Sequence, residues 1–211
     1  MSSLRRLVLI LLLALAPAVG VMSAAMPSTA AAEIPPVTAA DRVLGQANAP
    51  VTVVEYASFT CPHCAHWATT VLPEFKTRFI DTGRVKLVFR DLPTPPVAEA
   101  TAAAMMGRCA APGRFFAMAE AFFSGQAAFR ATNSRAPWFA AVQAVSGRTV
   151  PEMWACMDDP AGRARLNADV EAALAAGVNT TPNFFVNGRA LAGDPTIEVL
   201  SAAIAAAQTR R

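Results

Sequence analysis

The stretch FTCPHCAHW, residues 59–67, places Cys61 and Cys64 two residues apart and sets both histidines of the chain, His63 and His66, beside them. Such a pair can clamp a metal, staple a loop or exchange disulfides. Zinc takes about four ligands in tetrahedral reach. Cys61 and Cys64 supply two, no second C-x-x-C exists, and Cys109 and Cys156 stand alone in the sequence, so no metal is expected. A purely structural bridge would close a very small loop and stabilise little, because the entropic gain grows with loop length.

The redox reading has a specific physical basis. If a helix begins after Cys61, that residue is the N-cap, and Pro62 falls at the first helical position, where a missing N–H costs nothing. The N–H groups of His63 and Cys64 then face the Cys61 sulfur. Those donors and the positive end of the helix dipole favour thiolate over thiol, and a protonated His63 would add to the effect. A stabilised thiolate is also a good leaving group, which makes the disulfide easily reduced and therefore oxidising. Cys61 is expected to be the exposed attacking sulfur and Cys64, one turn in, the buried resolving one.

The elements that must position this pair can be read from periodicity. VTVVEYASF, residues 51–59, is β-branched, aromatic and almost continuously apolar, as a strand covered on both faces should be. Glu55 interrupts it; an unpaired carboxylate there is costly to bury, and an end-of-strand acid that reaches water is the plain alternative. From Pro62 to Ile80 the residues Trp67, Val71, Leu72, Phe75 and Phe79 recur at helical spacing, with Pro73 expected to kink the helix. RVKLVFRDL, residues 84–92, reads as the next strand and completes a parallel crossover. Residues 93–177 carry helical patterns that breaks at Pro112–Gly113, Gly125, Gly147 and Pro160 divide into four or five helices. Phe115, Phe116, Phe122, Phe123, Trp138 and Phe139 are read there as packing residues. NFFV, residues 183–186, the Asn187–Gly188 turn and RALAG then predict a hairpin. A last helix is predicted over about 195–208, with Asp194 as its cap and Pro195 at its first position. The outer sections are thus α/β, and a helical block is inserted between them. Residues 33–50, with Pro35, Pro36, Gly45 and Pro50, read as an N-terminal arm of turns without regular structure.

The first residues carry Arg5 and Arg6, an apolar run from Leu7 to about Ala16, then small residues, which is the anatomy of a secretory signal ending near residue 32. The apolar run is short for a bilayer crossing of roughly 20 residues, although an uncleaved membrane anchor is the alternative. Loss of residues 1–32 would remove two arginines and no acid, lowering the formal charge from +3 to +1. A nearly neutral chain without a basic stripe argues against a nucleic-acid partner.

EYASFTCPHC followed by a helix, a helical insertion and TPNFFVNG resembles the DsbA-type thiol:disulfide oxidoreductases, thioredoxin-fold proteins of the bacterial cell envelope, over residues from about 41 to 205. The resemblance implies an α/β thioredoxin fold, residues 51–92 with 178–211, interrupted by an inserted helical domain, residues 93–177. It makes Cys61 the nucleophile, Cys64 the resolving cysteine, and Pro62 and His63 the tuning positions. Thr181-Pro182 matches the family's loop with a cis-proline, whose backbone holds an extended substrate segment. Glu55 matches a buried acid beneath the disulfide that exchanges a proton with Cys64 through water, and His66 is expected on the solvated rim. Two positions depart from the family pattern: Thr180 stands where many relatives have glycine, and Thr181 where many have valine. Both leave the substrate preference open.

With Cys61 and Cys64 paired, an oxidising compartment would join Cys109 to Cys156 as a structural disulfide; two free buried cysteines are the alternative. The implied protein is a periplasmic monomer without cofactor. It donates its Cys61–Cys64 disulfide to reduced exported proteins and is reoxidised by a DsbB-type membrane quinone-linked partner. The rivals are a disulfide isomerase or reductase and a non-catalytic chaperone. The usual isomerases add an N-terminal dimerisation domain, which residues 33–50 are too few to form.

Overall fold

The computed structural model describes residues 33–210; the leader of residues 1–32, with the expected signal and its cleavage site, lies outside the described residues. β2 (Val51–Ala57) is the centre of a five-stranded sheet. β3 (Val85–Asp91) runs parallel to it on one side and β4 (Asn183–Val186) antiparallel on the other. β1 (Arg42–Leu44) and β5 (Arg189–Ala190) form the edges, giving the order β1-β3-β2-β4-β5. β1 corrects the expectation that residues 33–50 lack regular structure. Three residues are too few to show alternation, and their pairing with β3 (Arg42 opposite Phe89) makes the strand. In the hairpin, Asn187 and Gly188 both adopt positive φ, as a tight turn of matching twist needs. Its second strand is shorter than RALAG, covering only Arg189 and Ala190.

Between β2 and β3 the chain forms one helical run. α1 (Pro62–His66) and α2 (Leu72–Phe75) are joined and extended by π-helical turns at Trp67–Val71 and Lys76–Ile80. Pro73 has no N–H for the carbonyl four residues back, and a wide turn accommodates this without ending the helix. Trp67, Phe75 and Phe79 from this run, with Leu200 and Ile204 of α8 (Ile197–Thr209), cover Val51, Val53, Leu87, Phe184 and Val186 on one sheet face. Val54, Tyr56, Val88 and Phe185 point to the other face and pack with Ala173 and Val178. The cap of α8 is Thr196, whose hydroxyl accepts from Val199 N–H at 3.3 Å. Asp194 and Pro195 therefore precede the helix, because the Asp194 carbonyl is taken up in a turn to Thr196 N–H at 2.8 Å.

Five helices lie between β3 and β4: α3 (Val97–Arg108), α4 (Phe115–Thr132), α5 (Arg135–Val145), α6 (Val150–Met157) and α7 (Pro160–Ala175). Gly125 does not break a helix as expected, since α4 runs through it. A Cβ there would lie 2.7 Å from Trp138 Cδ1, so this glycine permits the close approach of α5. α4 stops at Asn133, which is left-handed with φ 50°. α6 opens with a Thr149–Glu152 capping box, and Asp159 caps α7 through the amides of Ala161 and Gly162. Cys109, the C-cap of α3, is joined to Cys156 of α6 by a disulfide.

The insertion is tied to the sheet in two ways. Phe59, just beyond β2, meets Phe89 of β3 at 5.3 Å and Phe122 and Phe123 of α4 at 4.5 and 5.2 Å between ring centroids. At the end of β3 the buried Asp91 accepts from Arg42 Nη2 (2.6 Å) and Arg108 Nε (2.9 Å), and Arg108 reaches Asp169 of α7 at 2.7 Å.

Candidate active site

Cys61 is the N-cap of α1, with extended backbone (φ −76°, ψ 120°), and Pro62 holds the first helical position. Cys61 and Cys64 are both free thiols, one turn apart. Cys64 is fully buried, whereas Cys61 is only 7% exposed and not the open sulfur that was expected. The reason is the loop before β4. Thr181–Pro182 carries a cis peptide bond, and the Thr181 carbonyl accepts from the Cys61 thiol at 3.3 Å across 120 residues of sequence.

This environment lowers the Cys61 pKa to about 5. The largest cause is a hydrogen bond from the Cys64 thiol; burial opposes it, and the Thr181 hydroxyl and the amides of Cys64 and His63 add to the lowering. Cys64 moves the other way: burial, its hydrogen bond to Cys61 and the charges of Glu55 and Cys61 raise it above the ordinary thiol range. The two cysteines are therefore unequal. Cys61 is poised as nucleophile and leaving group, and Cys64 keeps its proton.

Glu55 is buried in β2, 2% exposed, and its Oε1 has no hydrogen-bond partner among the described residues. Burial, with a smaller contribution from the Cys61 charge, raises its pKa to about 8. It lines a groove of about 470 Å³ between the helical run (Ala68, Leu72, Lys76) and α4 (Phe116, Glu120, Phe123). His63 and His66 are both exposed on α1, and His66 Nε2 lies 3.4 Å from Thr70 Oγ1. No group of three or more His, Cys, Asp or Glu among the described residues could hold a metal ion.

The turn leading into Cys61 has supports that sequence reasoning missed. Ser58 and Thr60 share a hydroxyl hydrogen bond of 2.9 Å; Thr60 Oγ1 donates to the Thr94 carbonyl (3.0 Å), and Thr94 N–H donates to Ser58 Oγ (3.2 Å). From α4, the buried Gln126 donates to the carbonyls of Phe59 (2.7 Å) and Cys61 (3.0 Å). The available signal was a lone amide on the apolar stripe of Phe122 and Phe129, one helical turn away on either side.

A parallel crossover with a C-x-x-C at the N-terminus of its helix, facing a cis-proline loop, defines a thioredoxin-fold dithiol protein. The chain belongs to the thioredoxin family: the family model described as Thioredoxin matches residues 38–206. Within that fold its similarity runs to DsbA proteins and to a protein named as a disulfide oxidoreductase. A Rickettsia bellii protein named as a protein-disulfide oxidoreductase is 30% identical over 150 residues, 70% of this chain and 57% of its own. The Na(+)/H(+) antiporter NhaA 3 of Salinispora tropica is 34% identical over 174 residues, 79% of this chain but 24% of the antiporter. This chain therefore spans less than two thirds of the length of either relative. Among solved structures, alpha-DsbA1 of Wolbachia pipientis superposes with a TM-score of 0.73 at 25% identity, covering 83% of this chain and 94% of that one.

Proposed function

We propose that this chain is a dithiol oxidase that donates a Cys61–Cys64 disulfide to reduced exported proteins. The observation that carries this reading is the contrast between the two sulfurs, with Cys61 lowered to about 5 and Cys64 raised. A client thiolate attacks the Cys61 sulfur, the Cys61–Cys64 bond breaks, and Cys64 leaves as it takes up a proton. A second client thiolate then attacks the client sulfur of the mixed disulfide and releases Cys61 as thiolate. The client loses two electrons and the Cys61–Cys64 pair gains them. A low Cys61 pKa favours the last step, because the better leaving group departs faster. Glu55, protonated near neutral pH, supplies the proton to Cys64 through water admitted by the groove, and removes it again on reoxidation. Thr181 and Pro182 would hold the client as an extended segment against the Cys61 sulfur.

On this reading residues 1–32 are an export signal, and residues 33–50 form an arm that adds β1 to the edge of the sheet. Residues 51–92 and 178–211 form the thioredoxin-fold domain and residues 93–177 the inserted helical domain, and Cys109–Cys156 is structural. The protein works as a monomer in the periplasm and is reoxidised by a DsbB-type membrane partner. The test follows thiolate absorbance against pH in the reduced protein. The wild type should titrate near 5, Cys61→Ser should lose that transition, and His63→Ala should raise it by less than about one unit, since the His63 backbone donor remains. A wild-type transition near the ordinary thiol value of about 8.5 would remove the basis for an oxidase. Reactivation of a scrambled, fully oxidised client, in place of oxidation of a reduced one, would assign isomerase activity instead.

A further inference from the structure

α4 belongs to the helical insertion, yet one of its side chains ends on the backbone of the nucleophile. Gln126 is 2% exposed, and its Nε2 lies 2.7 Å from the Phe59 carbonyl and 3.0 Å from the Cys61 carbonyl. Both partners are acceptors, so the amide orientation is determined: only the NH₂ end can face them. The two carbonyls flank Thr60 in the turn from β2 into α1. The Cys61 carbonyl also accepts from Ala65 N–H at 3.1 Å, so it is held by two donors. Holding that carbonyl holds the ψ of Cys61, and ψ sets where the amides of His63 and Cys64 lie relative to the Cys61 side chain.

The support behind Gln126 is closely packed. One turn back, Phe122 packs on Phe59 at 4.5 Å, and the Phe122 carbonyl accepts from Trp138 Nε1 at 2.7 Å. One turn on, Phe129 stacks on Trp138 at 4.5 Å and 14°. Gly125 lets the indole of Trp138 lie against the helix beside it. The amide therefore reaches the turn from a fixed helix register. A buried Gln in such a stripe costs its desolvation unless its donors are used; here both go to the turn that carries Cys61.

We propose that Gln126 is a positioning residue for the disulfide exchange: by donating to the Phe59 and Cys61 carbonyls it holds Cys61 in the geometry that stabilises its thiolate, coupling the helical insertion to the redox poise of the active site. The inference rests on the oxidase reading above. The test uses the full mature chain and two measurements, the thiolate titration of the reduced protein and the equilibrium of the 61–64 disulfide against glutathione. Gln126→Met keeps the length of the side chain and removes both donors. It should raise the Cys61 midpoint by about half a unit to one unit and make the disulfide roughly three- to tenfold harder to reduce. Gln126→Glu, which turns an oxygen toward two carbonyls, should shift both further in the same direction. Val142→Ala, a core change in α5, is the control and should lower the melting temperature while leaving midpoint and equilibrium in place. Wild-type values for both Gln126 variants would overturn the inference and leave the oxidase reading standing. Equal shifts in Gln126→Met and Val142→Ala would also overturn it, since general loosening would then suffice. A wild-type midpoint near about 8.5 would instead sink the oxidase reading itself.

Discussion

Glu55 occupies a strand position whose same-face neighbours are Val51 and Val53, and the apolar surroundings decide its chemistry. Its pKa, about 8 in the fold against an ordinary 4.5, is raised chiefly by burial. A raised folded pKa means that the full stability is present below 4.5 and is lost as pH rises through about 8. Glu55→Gln should therefore be close to neutral at pH 4 and stabilising at pH 7, by about 3 kcal/mol before the cost of a buried amide. Urea unfolding of both proteins at pH 4, 6 and 8 checks this, and a pH-independent difference would show that Glu55 is not held neutral by the fold. In the disulfide form the Cys61 charge is absent, so the effect should be somewhat smaller. The same substitution should slow client oxidation, because Cys64 then leaves without its proton donor.

α4 does two jobs, filling the core with Phe122 and Phe129 and presenting Gln126 to the active-site turn, and both depend on its closeness to α5. Gly125 sets that distance. Alanine is better than glycine in a helix interior by about 1 kcal/mol, which alone would favour Gly125→Ala. Against this, the added methyl would meet Trp138 Cδ1 at 2.7 Å, and the indole is held by its hydrogen bond to Phe122 and its stacking on Phe129. Overpacking against such a ring costs about 1–3 kcal/mol, and it should win. The expected result is a lower melting temperature for Gly125→Ala; a higher one would show that Trp138 can move aside without loss.

The whole molecule holds its insertion to the sheet through the Phe59 ring cluster and the Arg42–Asp91–Arg108–Asp169 chain, while Cys109–Cys156 ties α3 to α6 within the insertion. The bridge joins residues 47 apart, which in the chain-entropy model is worth at most about 4 kcal/mol. A Cys109→Ala, Cys156→Ala double variant should unfold at lower urea by up to that amount. Its Cys61 titration should keep the wild-type midpoint, because the bridge lies outside the set of groups that stabilise the thiolate. An altered midpoint would show that the strain or order of the insertion is felt at the active site.

The features legible in the sequence are those whose cause is local. Cys61 before Pro62 specifies an N-cap because the backbone demands of a helix start involve adjacent residues, and Asn187–Gly188 specifies a hairpin because two neighbouring residues must take positive φ. The strand-helix-strand order followed from periodicity, and the cis geometry at Pro182 was expected only through the family resemblance. What periodicity and local motifs could not show depends on partners distant in sequence. β1 exists through pairing with β3, and Gly125 reads as a break until Trp138 is seen beside it. The burial of Cys61 comes from Thr181, 120 residues away, and the support of its turn from Gln126, 65 residues away. A chain of residues states its preferences for backbone shape directly. Which side chains meet is decided only when the apolar faces close on one another, and in this protein that closure sets the charge state of the reactive sulfur.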